Sequence, residues 1–214
     1  MDKEKVLNFI KINSLISVVR GQKPKKIIKI VDALIDGGVN LIEITMDSKY
    51  PLNMLNEVNS HIDNEIAIGA GTVLDAETAR SAIFAGADFI VSPILNTEVI
   101  EMSKRYNKVV IPGVMTPSEM IKAWEKGADF VKVFPAKTLG PDFIKSVKGP
   151  LGQVEIIPTG GINLNNIDEY IKAGSAAVGV GSSLINKEAI KKGLYEQITE
   201  KAELYIEKIN NSKN

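Results

Sequence analysis

Two ionisable side chains stand alone in apolar runs. One is Lys132, in Phe130-Val131-Lys132-Val133-Phe134-Pro135; the other is Glu43, in Leu41-Ile42-Glu43-Ile44-Thr45-Met46. Burying an ammonium without a partner is strongly unfavourable, and the usual relief leaves a neutral amine. A neutral amine is a nucleophile towards carbonyl carbon. A lysine satisfied by a buried carboxylate, or one snorkelling out of the strand end, fits the same run. A structural ion pair with Glu43 would account for both residues, because buried pairs say little about function by themselves. Two lone ionisable groups, each late in its apolar run, tilt the reading towards chemistry: a lysine nucleophile with a carboxylate to move protons.

Glycine clusters form the second constellation. Pro158-Thr159-Gly160-Gly161-Ile162 and Gly179-Val180-Gly181-Ser182-Ser183 each end an apolar strand. Backbone N–H groups in such loops, beside helix N-termini, suit a phosphate, although glycines also serve simple tight turns. The expected ligand is therefore a small molecule phosphorylated at one end. Gly69-Ala70-Gly71-Thr72-Val73 lets a ligand approach the backbone and offers the Thr72 hydroxyl. Arg20 closes Val18-Val19-Arg20, where it could grip a substrate carboxylate or pair with a loop carboxylate.

These residues need a frame, and a repeat supplies it. Four times a helical pattern ends in glycine and a short apolar strand follows, at Gly38, Gly86, Gly127 and Gly174. This is the helix-to-strand step of a parallel sheet. Filling the gaps gives eight strands: 14–20, 41–46, 67–73, 89–93, 109–115, 130–135, 155–160 and 177–182. Helix starts lie between them at Asp75, Asn96, Thr116-Pro117-Ser118-Glu119 (a capping box) and Gly140-Pro141-Asp142. A strand every 20–27 residues in one uninterrupted chain predicts an α/β fold, a (β/α)8 TIM barrel, as a single domain over residues 1–214. An open doubly wound sheet fits less well, lacking G-x-G-x-x-G after the first strand. An extra N-terminal helix is expected over 2–11, a last amphipathic helix over 187–208, and a frayed end over 209–214. Strand alternation puts Lys132 on one face with Phe130 and Phe134, and Glu43 with Thr45, both plausibly towards the barrel interior.

Composition narrows the chemistry further. Of 214 residues, 26 are basic and 26 acidic, so no net charge invites nucleic acid or an anionic membrane. No cysteine is present, which removes thiol catalysis and zinc–thiolate sites. The single histidine, His61, sits in a polar context and reads as a surface residue; a zinc-dependent route would need several. No metal and no cofactor are expected. With no apolar leader or long apolar run, the expectation is a cytoplasmic protein.

In order along the chain come Glu43-Ile-Thr-Met, Gly69-Ala-Gly-Thr-Val, Phe89-Ile-Val-Ser-Pro, Ile111-Pro-Gly-Val-Met-Thr-Pro-Ser-Glu, Lys132-Val-Phe-Pro-Ala and Pro158-Thr-Gly-Gly-Ile. Over residues 10 to 200 this set resembles the 2-dehydro-3-deoxy-phosphogluconate / 4-hydroxy-2-oxoglutarate aldolases, class I enzymes that work through a lysine imine. The resemblance implies Lys132 as the Schiff-base lysine and Glu43 as the general acid/base. It implies Thr72, Pro93 and Phe134 around the pyruvate moiety, and Thr159, Gly160, Gly161, Gly181 and Ser182 around the phosphate. It also implies a homotrimer. Phosphogluconate-type members carry an arginine four residues after the glutamate, where this chain has Asp47. The galactonate-type branch lacks it and has an arginine at the end of the first strand, matching Arg20. Lys137, just past the Schiff-base strand, could touch the distal phosphate or only solvent, and solvent is the favoured reading. Other readings of the same frame are a phosphosugar epimerase, in which lysine and glutamate exchange protons without an imine, and a non-catalytic phosphate-binding barrel.

Overall fold

The computed structural model describes residues 1–62 and 65–213. Among these residues nine short strands are interleaved with helices, save that β6 follows β5 directly: β1 (Leu15–Val19), β2 (Leu41–Thr45), β3 (Ala67–Gly71), β4 (Phe89–Val91), β5 (Val109–Ile111), β6 (Gly113–Val114), β7 (Val131–Val133), β8 (Ile156–Pro158) and β9 (Val178–Val180). The expected fifth strand holds two of them. Pro112 separates β5 from β6 because it has no N–H to give a ladder; its carbonyl still accepts from the Lys132 N–H at 2.8 Å.

Every pairing is parallel. One sheet runs β5-β4-β3-β2-β1-β9 and the other β6-β7-β8. A parallel bridge between Thr159 and Gly179 joins β8 to β9, and Pro112 joins β5 to β6 through the chain. The result is a curled parallel sheet with its strands running one way and helices outside. At the helix-to-strand steps Gly38, Gly86, Gly127 and Gly174 all take positive φ, the left-handed turn that ends a helix and turns the chain back.

Alternation sorts the two faces as the sequence pattern predicts. Ile42 and Ile44 of β2, and Val131 and Val133 of β7, lie in the outer core against the helices. Leu41, Phe89, Val109, Phe130 and Ile157 form the inner cluster. Glu43 and Lys132, two residues beyond Leu41 and Phe130, therefore share the inner face.

Helix α1 (Lys3–Asn13) adds Val6 and Ile10 to that inner cluster. It is tied to the N-terminal strand ends: Lys3 pairs with Asp129 at 2.8 Å and Lys11 with Glu155 at 3.2 Å. Asp129 also accepts from the Val110 N–H at 3.0 Å, and Asp88, at the equivalent place before β4, accepts from the Ile68 N–H at 3.1 Å. The aspartate of each Gly-Ala-Asp step thus serves the neighbouring strand's backbone.

The outer helices are α2 (Pro24–Asp36), α3 (Pro51–His61), α4 (Ala76–Phe84), α5 (Thr97–Arg105), α6 (Pro117–Glu125), α7 (Ala136–Lys148), α8 (Ile167–Lys172), α9 (Lys187–Lys192) and α10 (Glu196–Lys213). Asp75, Asn96 and Thr116 cap α4, α5 and α6 through their side chains, and Glu119 completes the α6 capping box. Three expectations change. The last helix is two, because Gly193 adopts φ +76° and stops α9. Residues 209–213 continue α10 rather than fray, with Ile209 buried in the outer core; Asn214 lies outside the described residues. Helix α7 has an extra turn from Ala136 ahead of the expected start; that start holds at Gly140-Pro141, where Gly140, with φ +76° and ψ 170°, divides α7 into two segments. Among the described residues no helix is long and apolar enough to cross a membrane.

Candidate active site

Lys132 is the middle residue of β7 and Glu43 the middle residue of β2. The curl of the sheet brings them together: Lys132 Nζ lies 3.8 Å from Glu43 Oε1, and each side chain is only 3% exposed. At that distance the two are an ion pair without a tight hydrogen bond, and Glu43 Oε1 is buried with no hydrogen-bond partner. A buried acceptor left without a donor is costly in a purely structural pair and is a common signature of a working site. The Phe134 ring lies 5.4 Å from Lys132 Nζ, within cation–π range. Phe134 is followed by a cis peptide to Pro135.

The space around Glu43 is made by missing side chains. A Cβ on Gly71 would collide with the Glu43 carboxylate, and one on Gly69 would enter the Phe89 ring. Across the sheet, a Cβ on Gly179 would strike Thr159 Oγ1. Small residues at these inner positions clear a path to the lysine.

Lys132 opens onto a cavity of about 290 Å³ at the C-terminal strand ends. Of the residues singled out in the sequence, Arg20, Phe134, Thr159, Gly160, Gly161, Gly181 and Ser182 line it. Its walls follow strand order: the β7 end, then the Gly160-Gly161 loop after β8, the Gly181-Ser182 loop after β9, and Arg20 after β1. Ser183 Oγ donates to the Ile162 carbonyl at 2.6 Å and ties the two glycine loops together.

Arg20 is engaged by a network at the rim. Its Nη1 donates to Asp47 Oδ2 at 2.8 Å and its Nη2 to Thr72 Oγ1 at 3.0 Å. Thr72 holds φ +56°, unusual for a β-branched residue and typical of over-determined functional positions. Ser48 Oγ accepts from the Gly21 N–H at 3.0 Å and lies 3.2 Å from Thr45 Oγ1, linking the β1 and β2 loops. Thr72 joins the site through Arg20. Pro93 does not line the cavity; its carbonyl lies where a Cβ on Gly113 would fall.

Val18, Gly179, Ser183 and Lys137 line the cavity without having been singled out as site residues. Val18 and Gly179 were legible in principle, since they share alternation with Arg20 and Gly181. Lys137 is exposed, as expected, yet it also borders the cavity, its stem lying over the Gly161 loop: a Cβ on Gly161 would run into its side chain. His61 is as expected, exposed and 2.6 Å from Asp32.

A buried lysine facing a carboxylate at the C-terminal mouth of a curled β/α sheet, beside two glycine loops, defines an enzyme acting on small carbonyl compounds with an anionic end. Residues 6–201 match the family described as "Aldolase: KDPG and KHG aldolase". The chain belongs to this aldolase family and is a carbon–carbon lyase. It is 34% identical over 171 residues to a 2-dehydro-3-deoxy-6-phosphogalactonate aldolase of Escherichia coli K12, covering 79% of this chain and 83% of that one. It is 33% identical over 186 residues to a 2-dehydro-3-deoxy-phosphogluconate aldolase of Treponema pallidum, covering 86% and 88%. The crystal structure of a Legionella pneumophila KDPG aldolase, with pyruvate captured at low pH as a covalent carbinolamine, superposes with a TM-score of 0.84 at 30% identity, covering 89% of this chain and 93% of that one.

Proposed function

We propose that this chain cleaves a 2-keto-3-deoxy-6-phospho-sugar acid to pyruvate and glyceraldehyde 3-phosphate through an imine on Lys132. The observation that carries the reading is the 3.8 Å approach of Lys132 Nζ, which lines the cavity, to Glu43 Oε1, a buried acceptor with no hydrogen-bond partner behind it. Glu43 takes a proton from the Lys132 ammonium; the free amine then attacks the C2 ketone, and loss of water from the carbinolamine gives a protonated imine. The C4 hydroxyl then loses its proton, the C3–C4 bond breaks, and its electrons pass into the imine to form an enamine. Aldehyde departs, C3 takes a proton, and hydrolysis frees pyruvate and Lys132. Glu43 carries these protons, directly or through one water. Arg20 and Thr72 hold the carboxylate, with Phe134 bounding the pyruvate moiety; Pro93, outside the cavity lining, backs this wall through Gly113. Thr159, Gly160, Gly161, Gly181 and Ser182 receive the phosphate. No step calls for a metal or a cofactor.

Several finer readings belong to the same proposal. The curled sheet is a closed (β/α)8 barrel in which β5 and β6 count as one strand, and α1 is an extra helix across its N-terminal end; the Thr159–Gly179 bridge supports closure. Residues 1–214 act as one domain in the cytoplasm. The assembly is a homotrimer; exposed Leu74, Ile94 and Met115, on three successive strand-end loops, offer one apolar face for contact. The galactonate-type and gluconate-type relatives are about equally similar, and Arg20 with Asp47 in place of the second arginine favours the galactonate type.

Incubation with pyruvate and borohydride tests the chemistry. A stable pyruvate-derived mass should appear on the peptide bearing Lys132 and vanish in Lys132→Ala. Turnover without trapping would point instead to imine-free proton exchange.

A further inference from the structure

We propose that Lys137 is the cation that receives the substrate's phosphate, and so the residue that makes this chain prefer phosphorylated 2-keto acids over dicarboxylates such as 4-hydroxy-2-oxoglutarate. The inference rests on the aldolase reading above and names which residue sets its substrate class.

Three cations line the cavity: Lys132, Arg20 and Lys137. Two already have carboxylates, Lys132 at 3.8 Å from Glu43 and Arg20 at 2.8 Å from Asp47. Lys137 has no acidic partner among the described residues. Three cations against two carboxylates leave one uncompensated positive charge, and it lies at Lys137.

Its placement fits a phosphate. The wall order β7, β8, β9, β1 sets Lys137, on the first turn of α7 after β7, beside the Gly160-Gly161 loop after β8. Arg20 stands at the far side of the Gly181-Ser182 loop. Within this cavity the neutralised cation thus stands on the β9 side of the glycine loops and the free one on the β8 side; Lys187 borders the Gly181-Ser182 loop only from the adjoining pocket. Two further observations hold Lys137 in place. Its backbone N–H donates to the Gly160 carbonyl at 2.9 Å. Its side chain also occupies the volume that a Cβ on Gly161 would need, so Gly161 admits the lysine stem against the loop. A compact ammonium beside exposed backbone N–H groups suits a dianionic tetrahedral group. A carboxylate, with one charge and a planar fork, gains less there.

Lys137→Ala and Lys137→Arg test the assignment. For the phosphorylated substrate, KM in Lys137→Ala should rise by at least about tenfold, the loss of one charge-assisted contact, with kcat within about threefold. Cleavage of 4-hydroxy-2-oxoglutarate should stay within about twofold, and Lys137→Arg should recover most of the lost affinity. Binding of inorganic phosphate, followed by calorimetry on the intact protein, should weaken by about tenfold in Lys137→Ala. Equal losses on both substrates, unchanged phosphate affinity, or no phosphate binding by the wild type would overturn the role. If the wild type cleaves neither substrate, the aldolase reading fails, and the phosphate titration still decides Lys137.

Discussion

Gly71 and Glu43 cannot both carry side chains: a methyl group on Gly71 would sit where the Glu43 carboxylate now lies. The glycine of β3 is therefore what lets the acid of β2 reach Lys132. Gly71→Ala should fold and lose at least about a hundredfold in kcat, because displacement of a catalytic group by about 1 Å costs that much. Circular dichroism beside steady-state kinetics checks it; a fully active variant would remove Glu43's position from the mechanism.

Glu43→Gln keeps the shape and removes the base. The expected fall in kcat is about 10²- to 10⁴-fold, the usual worth of a positioned acid/base. Lys132 stays in place, so slow borohydride trapping of pyruvate should persist. An inactive variant that traps as fast as wild type would separate imine formation from later proton transfers.

The Arg20–Asp47 pair is about half exposed on both sides. Such a pair adds under about 1 kcal/mol of stability. Asp47→Asn should therefore leave the urea midpoint nearly unchanged while releasing Arg20 for the substrate anion, lowering KM several-fold. Arg20→Ala should raise KM with equally little effect on unfolding. Parallel urea and kinetic titrations read both.

Acid should weaken the α6 cap. Hydrogen bonds from the Met115 N–H, and from the Thr116 hydroxyl and N–H, hold Glu119 below its ordinary carboxylate value of 4.5, against a smaller cost of burial. A group depressed in the folded state stabilises above its unfolded value and loses that contribution as pH falls through its folded one. Glu119→Ala should thus cost about 1 kcal/mol near neutral pH. The gap to wild type should narrow as pH drops below 4.5, by urea unfolding at each pH.

Ile10 of α1 is fully buried in the inner cluster. Ile10→Ala should destabilise by about 2–4 kcal/mol, the usual cost of emptying a core site. Because this cluster lies at the opposite end of the strands from the cavity, kcat should change little below the new melting temperature.

The strands and their two faces were legible because alternation and glycine steps are local rules. Glu43 and Lys132 follow Leu41 and Phe130 inward with no long-range information needed. What escaped depended on neighbours distant in sequence. Lys137 looks like an ordinary first-turn lysine until the β8 loop folds against it, and Gly161 had given no sign of being shaped around it. Arg20 admitted two partners on paper, a substrate or a loop carboxylate, and only the β2 loop's position supplies Asp47. Gly193 was legible as a helix stop, yet the apolar periodicity across 187–208 masked it.

The Gly-Ala-Asp steps have a wider consequence. Asp88 and Asp129 spend their carboxylates on neighbouring strands' backbone, and Asp129 also on α1, all at the end remote from Lys132. Residues that hold the protein together and residues that choose its substrate thereby lie at opposite ends of these strands. A saturation mutagenesis library should split accordingly: changes near Asp88, Asp129 and Ile10 lower abundance, while changes at Arg20, Asp47 and Lys137 shift substrate preference in well-expressed protein. Such a chain can exchange one sugar acid for another without first being stabilised.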